Sequence, residues 1–417
     1  MRSLRSQTTG FVKKLPPSVL RLFLLSLYSF TFLISQAQKD SLARHPLVHS
    51  ISVSAGLDYV ASSSEDEIRE KIPADKKISV NSALPINLKY GFSFTNPRVR
   101  NYLPGGYQGV SIGILNLGAL DSGGLNKSTR NIGYPVLVYI FQGGPFHHFN
   151  RNLSLNYEWN FGASFGWRPY SDANKYFNLS VGSRVNAYLN LNLSLQWQVN
   201  EHTALFGGIA VSHFSNGNTS FPNPGVNSFG ARLGVVYTIN APKSGFEPCV
   251  TDTLRKRKFE YDISLWAAPR KRVYKELDPP VLRPGHFMCA GVSFSPMVRL
   301  GRWWRVGGAA DIQWDQSSDM KNTYISGTTT EDIRFRQPDF FRQVSVGVSA
   351  HGELQMPIFA VNVGCGVNLY APKENRGTYQ NITLKTYIGS KFFINIGYQL
   401  RNFQQQSSLM LGAGISI

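Results

Sequence analysis

The sequence predicts an all-β protein, an antiparallel transmembrane β-barrel of the outer membrane with about 16 strands (14–16), behind an N-terminal signal peptide. Three observations lead there. An export signal opens the chain, apolar and polar residues alternate over stretches long enough to cross a bilayer, and long connections alternate with tight turns.

The export signal occupies residues 1–37. Arg2, Arg5, Lys13 and Lys14 make a basic start, Leu20 to Ile34 an apolar core, and Ser35-Gln36-Ala37 a small-x-small cleavage site before Gln38. The apolar run is short for a membrane anchor, which favours a cleaved leader. Five basic and no acidic residues lie in this segment, so a formal charge of +18 for the whole chain leaves a mature protein that is still strongly basic. The basic residues are scattered through loops and strand ends, without the block of charge interleaved with aromatic residues that a nucleic-acid groove requires. An anionic membrane surface or anionic lipid headgroups suit them better. Cys249, Cys289 and Cys365 show no metal-ligand spacing, and spacing cannot select an oxidised pair among them.

Alternation is clearest from Asn186 to Val199. Ala187, Leu189, Leu191, Leu193, Leu195, Trp197 and Val199 form one face, while Asn186, Tyr188, Asn190, Asn192, Ser194, Gln196 and Gln198 form the other. Leu153 to Phe165, Phe359 to Leu369, Phe392 to Arg401 and Leu409 to Ile417 repeat the period. Asn, Gln, Ser and Gly on the polar side suit a barrel interior; the wet face of a soluble sandwich would carry more Lys and Glu on shorter strands. Sixteen strands are expected to start near His49, Ile86, Gln108, Tyr134, Asn152, Asn186, Thr203, Ser228, Phe259, Phe287, Arg302, Arg342, Phe359, Gln380, Lys391 and Ser407. Turns such as Asn200 to His202 and Gly389 to Ser390 fall on the periplasmic side, and long connections such as Asn216 to Asn227 fall outside.

The segment 241–258, rich in Lys, Arg, Pro and acidic residues, falls where a short turn is expected. It divides the mature chain into halves, 38–240 and 259–417, and reads as a periplasmic linker or excursion. One large barrel is the preferred arrangement, with an eight-stranded unit joined to a second sheet as the alternative.

Chemistry concentrates in Val211 to Asn227, VSHFSNGNTSFPNPGVN. His213 and Ser215 project from one face of a strand, about 6 to 7 Å apart along the chain. Leu205, Ile209 and Val211 mark that face as the lipid side, and the tight turn at Asn200 to His202 sends the strand outward. The pair is therefore expected at the level of the outer leaflet. A hydroxyl beside an imidazole is the minimum set for nucleophilic attack on an ester, with Asn216 and Asn223 as nearby amide donors for an oxyanion. The plainer reading is a polar rim above the hydrocarbon, with PNPG as a rigid turn.

The pattern His213-x-Ser215-Asn216-Gly217 followed by Pro222-Asn223-x-Gly225 resembles the lipid A deacylases of the PagL type, grouped with acyloxyacyl hydrolases of Gram-negative outer membranes. The run Asn178 to Tyr188 is similar to members of this group from Bacteroidetes. The likeness covers about Phe149 to Tyr237 and beyond Lys258 is one of general strand character. It implies a serine esterase of the outer membrane that removes an ester-linked acyl chain from lipid A, without metal or cofactor. Ser215 would be the nucleophile, His213 the general base, and Asn216 and Asn223 would lie at the site and oxyanion hole.

One position departs from the family. The triad acid, a glutamate fourteen residues after the histidine, is Asn227 here. Asn227 shares the outward face of the next strand with Phe229, Ala231, Leu233 and Val235. An amide orients a histidine without stabilising an imidazolium as a carboxylate does. Asp172 is a substitute acid on sequence grounds, whereas Glu158 and Asp311 read as lumen residues. A non-catalytic barrel and a diffusion channel are the other classes to weigh. His147 and His148 read as an interfacial loop, and Trp303 and Trp304 as part of an aromatic girdle.

Overall fold

The computed structural model describes residues 47–62, 81–95, 105–118, 132–170, 180–241, 259–271, 285–301, 303–320, 338–356, 359–388, 391–403 and 405–417, together with the short strand pieces 273–274, 281–282, 324–325 and 334–335. The expected signal peptide, the linker beyond residue 241, Cys249 and Asp172 lie outside the described residues.

Sixteen long strands carry the architecture. The first eight are β1 (Val48–Ser62), β2 (Ser82–Ser93), β3 (Tyr107–Leu117), β4 (Gly133–His148), β5 (Leu153–Trp167), β6 (Val185–Gln198), β7 (Thr203–Ser215) and β8 (Val226–Thr238). The second eight are β9 (Phe259–Arg270), β10 (Phe287–Arg299), β11 (Trp304–Asp315), β12 (Val344–Gln355), β13 (Phe359–Tyr370), β14 (Thr378–Ile388), β15 (Phe392–Arg401) and β16 (Gln405–Ser416). Every neighbouring pair is antiparallel, and most strands have the length a tilted membrane crossing needs.

The closure differs from the preferred expectation of one large barrel. Strand β8 returns to β1 and strand β16 returns to β9, so the chain forms two separate closed barrels of eight strands each. The physical reason is local pairing. Each half already supplies enough strands to satisfy its own edges, and a closed eight-stranded ring leaves no unpaired edge for the other half to extend.

Alternation settles inside and outside. On β6, Leu189, Leu191, Leu193, Leu195 and Trp197 are all exposed, while Asn186, Tyr188 and Asn190 are buried in the lumen. Among the described residues no helix is long and apolar enough to cross a membrane. The first lumen is filled in two tiers. An apolar cluster that includes Leu117, Leu137, Tyr139, Phe141, Trp167, Tyr188 and Phe214 forms one tier. The other is polar, with Lys89 paired to Glu158, and Arg232 held by Asp58, the Arg232 Nη2 donating to Asp58 Oδ2 over 2.9 Å.

The second lumen is closed by charge. Arg305 has no solvent exposure and reaches Glu260 at 2.7 Å, Asp262 at 2.8 Å and Glu353, while Lys385 bridges Asp262 and Glu353 at 2.7 Å each. Glu158 and Asp311 are lumen residues as expected, Asp311 accepting hydroxyl protons from Ser293, Ser349 and Tyr379. Cys289 and Cys365 are free thiols.

Two outcomes follow from this filling. Purified protein in a planar bilayer shows no porin-scale conductance, since an eight-stranded barrel has only enough interior for side chains; a large steady conductance would contradict the closed topology. Removing the cation at the centre of the second lumen leaves Lys385 as the remaining salt-bridge partner of the buried Asp262 and Glu353, so Arg305→Ala lowers the stability of that barrel by about 3 kcal/mol in urea titration.

Candidate active site

The site begins with Phe214. Its ring is buried in the first lumen, stacked on Tyr188 at 5.0 Å between centroids and tilted against Trp167 at 5.4 Å. Because successive strand residues point to opposite faces, an inward Phe214 sends both His213 and Ser215 outward. Below them on the same face Val211 and Ile209 are exposed, flanked by Leu191 on β6 and Phe229 on β8. The polar pair thus sits at the upper margin of an apolar surface.

Register supplies the partners. His213 lies directly opposite Asn227 on β8 and opposite Leu189 on β6, and Ser215 lies opposite Ala187. Asn227 Oδ1 stands 2.7 Å from His213 Nδ1. With the carbonyl oxygen as acceptor, the proton resides on Nδ1 and the Nε2 lone pair is left free to act as a base. The Ser215 hydroxyl makes no hydrogen bond to His213, whose partner is Asn227.

The connection after β7 folds back over the pair. Gly225 has a positive φ of 81°, and a Cβ there would stand 3.0 Å from His213 Cε1, 3.4 Å from Ser215 Cβ and 2.6 Å from the Phe214 carbonyl oxygen. Only glycine lets the backbone pass at this distance without covering the imidazole. The Gly225 N–H donates to the Ser180 carbonyl at 3.2 Å, which ties the loop to the segment before β6.

Asn216 and Asn223 are brought to the site but are buried within the loop. The Asn216 backbone N–H donates to Asn223 Oδ1 at 2.9 Å, and Asn216 Nδ2 donates to the Pro222 carbonyl at 3.1 Å. Thr219 adds a hydroxyl bond to the Asn216 carbonyl at 2.7 Å. Both asparagines therefore brace the loop. Asn216 Nδ2 still carries a second proton beyond the one given to Pro222.

His213, Ser215, Asn216, Asn223 and Asn227 are thus gathered at one strand end. Reasoning from sequence placed Gly225 in the motif but not its close approach to His213, and assigned no part to Phe214 or Ala187, whose contributions depend on cross-strand neighbours. The inward place of Phe214 was implicit in the alternation. Among the described residues no group of three or more His, Cys, Asp or Glu could hold a metal ion.

Comparison with known proteins gives two family matches. Residues 88–236 match the model described as lipid A 3-O-deacylase (PagL), and residues 259–417 match the acyloxyacyl hydrolase C-terminal domain. No curated protein matches. Solved structures with similarity include Neisserial surface protein A, at 9% identity and a TM-score of 0.28, covering 45% of this chain and 96% of that one. The FrpB iron transporter from Neisseria meningitidis has 10% identity and a TM-score of 0.24, covering 88% of this chain and 61% of that one. An outer membrane channel from Pseudomonas putida F1 has 13% identity and a TM-score of 0.18, covering 90% and 97%. Structural likeness at this level carries no functional argument. The two family matches share the boundary between the barrels and together take in most of the chain. This is an outer-membrane β-barrel protein that belongs to the lipid A deacylase (PagL) and acyloxyacyl hydrolase family.

Proposed function

We propose that the protein is an outer-membrane serine esterase that removes an ester-linked acyl chain from lipid A in the outer leaflet. The observation that carries this reading is the outward-facing His213–Asn227 pair with Ser215 beside it, at the top of an apolar face. An acyl chain lying along Val211, Leu191 and Phe229 brings its ester carbonyl to the level of Ser215.

Ser215 Oγ then attacks the carbonyl carbon while His213 Nε2 takes the hydroxyl proton. The tetrahedral intermediate collapses, the ester C–O bond to the sugar breaks, and the proton on His213 passes to the leaving alkoxide. Water attacks the acyl-enzyme in the second half, giving its proton to His213, and the fatty acid departs as Ser215 recovers its proton. Asn216 and Asn223 serve the oxyanion, holding the strand end and offering amide protons beside Ser215. Asn227 fixes the imidazole tautomer but adds no negative charge against the imidazolium, so turnover is slow. The amide at 227 is also what favours the second reading, a barrel that binds lipid without cleaving it.

Incubation of the purified protein with lipid A, followed by mass spectrometry of free fatty acid, decides between them. Wild type releases fatty acid and Ser215→Ala abolishes release; an inert wild type, or undiminished release by the variant, would remove the enzymatic reading. Asn227→Glu supplies the missing charge at the same cross-strand position. It raises kcat by at least about tenfold, on the scale by which acid-to-amide changes depress triads. The chemical shifts of labelled His213 nitrogens in the wild type report the proton on Nδ1, and a proton on Nε2 would contradict the proposed base.

A further inference from the structure

Residues 47–417 form one compact unit, and named side chains join the two barrels. Trp159, outward on β5, meets Phe359 at the start of β13 edge to face, with ring centroids 5.3 Å apart. Gln142, Trp159's cross-strand partner on the same outward face, has no exposure at all. A lipid-facing glutamine would be costly, whereas one sealed against protein and bonded by Trp159 Nε1 and the Tyr157 hydroxyl is not.

The second area of contact falls on the loop of the proposed site. A Cβ on Gly217 would stand 3.0 Å from both Cβ and Cδ1 of Leu409. The Tyr398 hydroxyl is buried against the Asn223 side chain without closing a full hydrogen bond. Tyr398 on β15 and Leu409 on β16 are direct cross-strand partners, so the two contacts form a single patch. Both are half-buried, whereas Ile394 and Leu411, farther along the same outward faces, are exposed. The cover is therefore local to the loop that contains Asn216 and Asn223.

We propose that the second barrel is a working part of the first barrel's site, with Leu409 and Tyr398 as positioning residues that hold the 216–225 connection in place over His213 and Ser215. The proposal rests on the esterase reading. The loop's internal hydrogen bonds set its shape and the Gly225 N–H and Phe221 ring tie one side of it to the Ser180 and Tyr170 segments of the first barrel, while its Gly217 side rests against the second barrel. A wall of Leu and Tyr from the second barrel braces that side. It gives the second half of the chain a role in catalysis without a second set of reacting groups.

The test uses the full chain in detergent with purified lipid A. Leu409→Ala lowers kcat about tenfold with KM unchanged, since displacing a reacting geometry affects the transition state more than binding. Leu409→Met restores most of the rate by refilling the volume. Leu265→Ala, on the exposed outward face of β9, leaves both constants at wild-type values. Heat-modified gel migration confirms that each variant is folded. A contact readout independent of activity pairs Gly217→Cys with Leu409→Cys, whose Cβ atoms fall near disulfide range; oxidation then cross-links the two halves within one chain. Failure to cross-link would overturn the contact. Cross-linking together with an unchanged kcat in Leu409→Ala, or a change confined to KM, would overturn the positioning role. A wild type without esterase activity would remove the esterase reading, and this proposal with it, even if the cross-link forms.

Discussion

The arrangement of the site depends on one buried ring. Phe214 is packed between Tyr188 and Trp167 inside the first barrel, and the two-residue period of a strand then leaves its neighbours no choice of side. His213 and Ser215 face the lipid because Phe214 faces the lumen. A slip of one residue in β7 would expose the ring and bury the imidazole. The apolar tier of the lumen thus does more than fill space, since its packing sets the register that places His213 opposite Asn227.

Closure into two eight-stranded rings shapes what the chain can do. Each ring is too narrow to be an open pore, and each is filled differently, the first with aromatic packing and paired charges, the second with a lattice of Arg305, Lys385 and three carboxylates. Buried charges of this kind stabilise little in themselves but are costly to disrupt. The proposed chemistry accordingly lies outside the lumens, on the outer surface where an apolar face and a polar strand end meet. An ester at a membrane interface is the chemistry suited to such a boundary.

Much of this was legible in the sequence, for physical reasons that also mark the limits. Strand β7 begins at the expected Thr203, β9 at Phe259, and β10 and β13 at Phe287 and Phe359, because alternation and turn chemistry are local signals. The outward face of β7 and the alignment of Asn227 with it were legible from the same period. Ring closure was not, since alternation says which way a side chain points and nothing about which distant strand pairs with which. The bracing roles of Asn216 and Asn223 were hidden for a similar reason, since an amide reads alike whether it points at a substrate or at the Pro222 carbonyl. The approach of Leu409 to Gly217 joins positions far apart in the chain and left no local trace.

The central claim is that Ser215 is a nucleophile activated by His213. The most direct measurement is the trapping of the protein with an alkyl phosphonate that mimics the ester, followed by peptide mass spectrometry of the adduct. The account predicts a single phosphonyl group on Ser215, lost in His213→Ala although the serine remains. An unlabelled Ser215, or labelling that persists without His213, would contradict it.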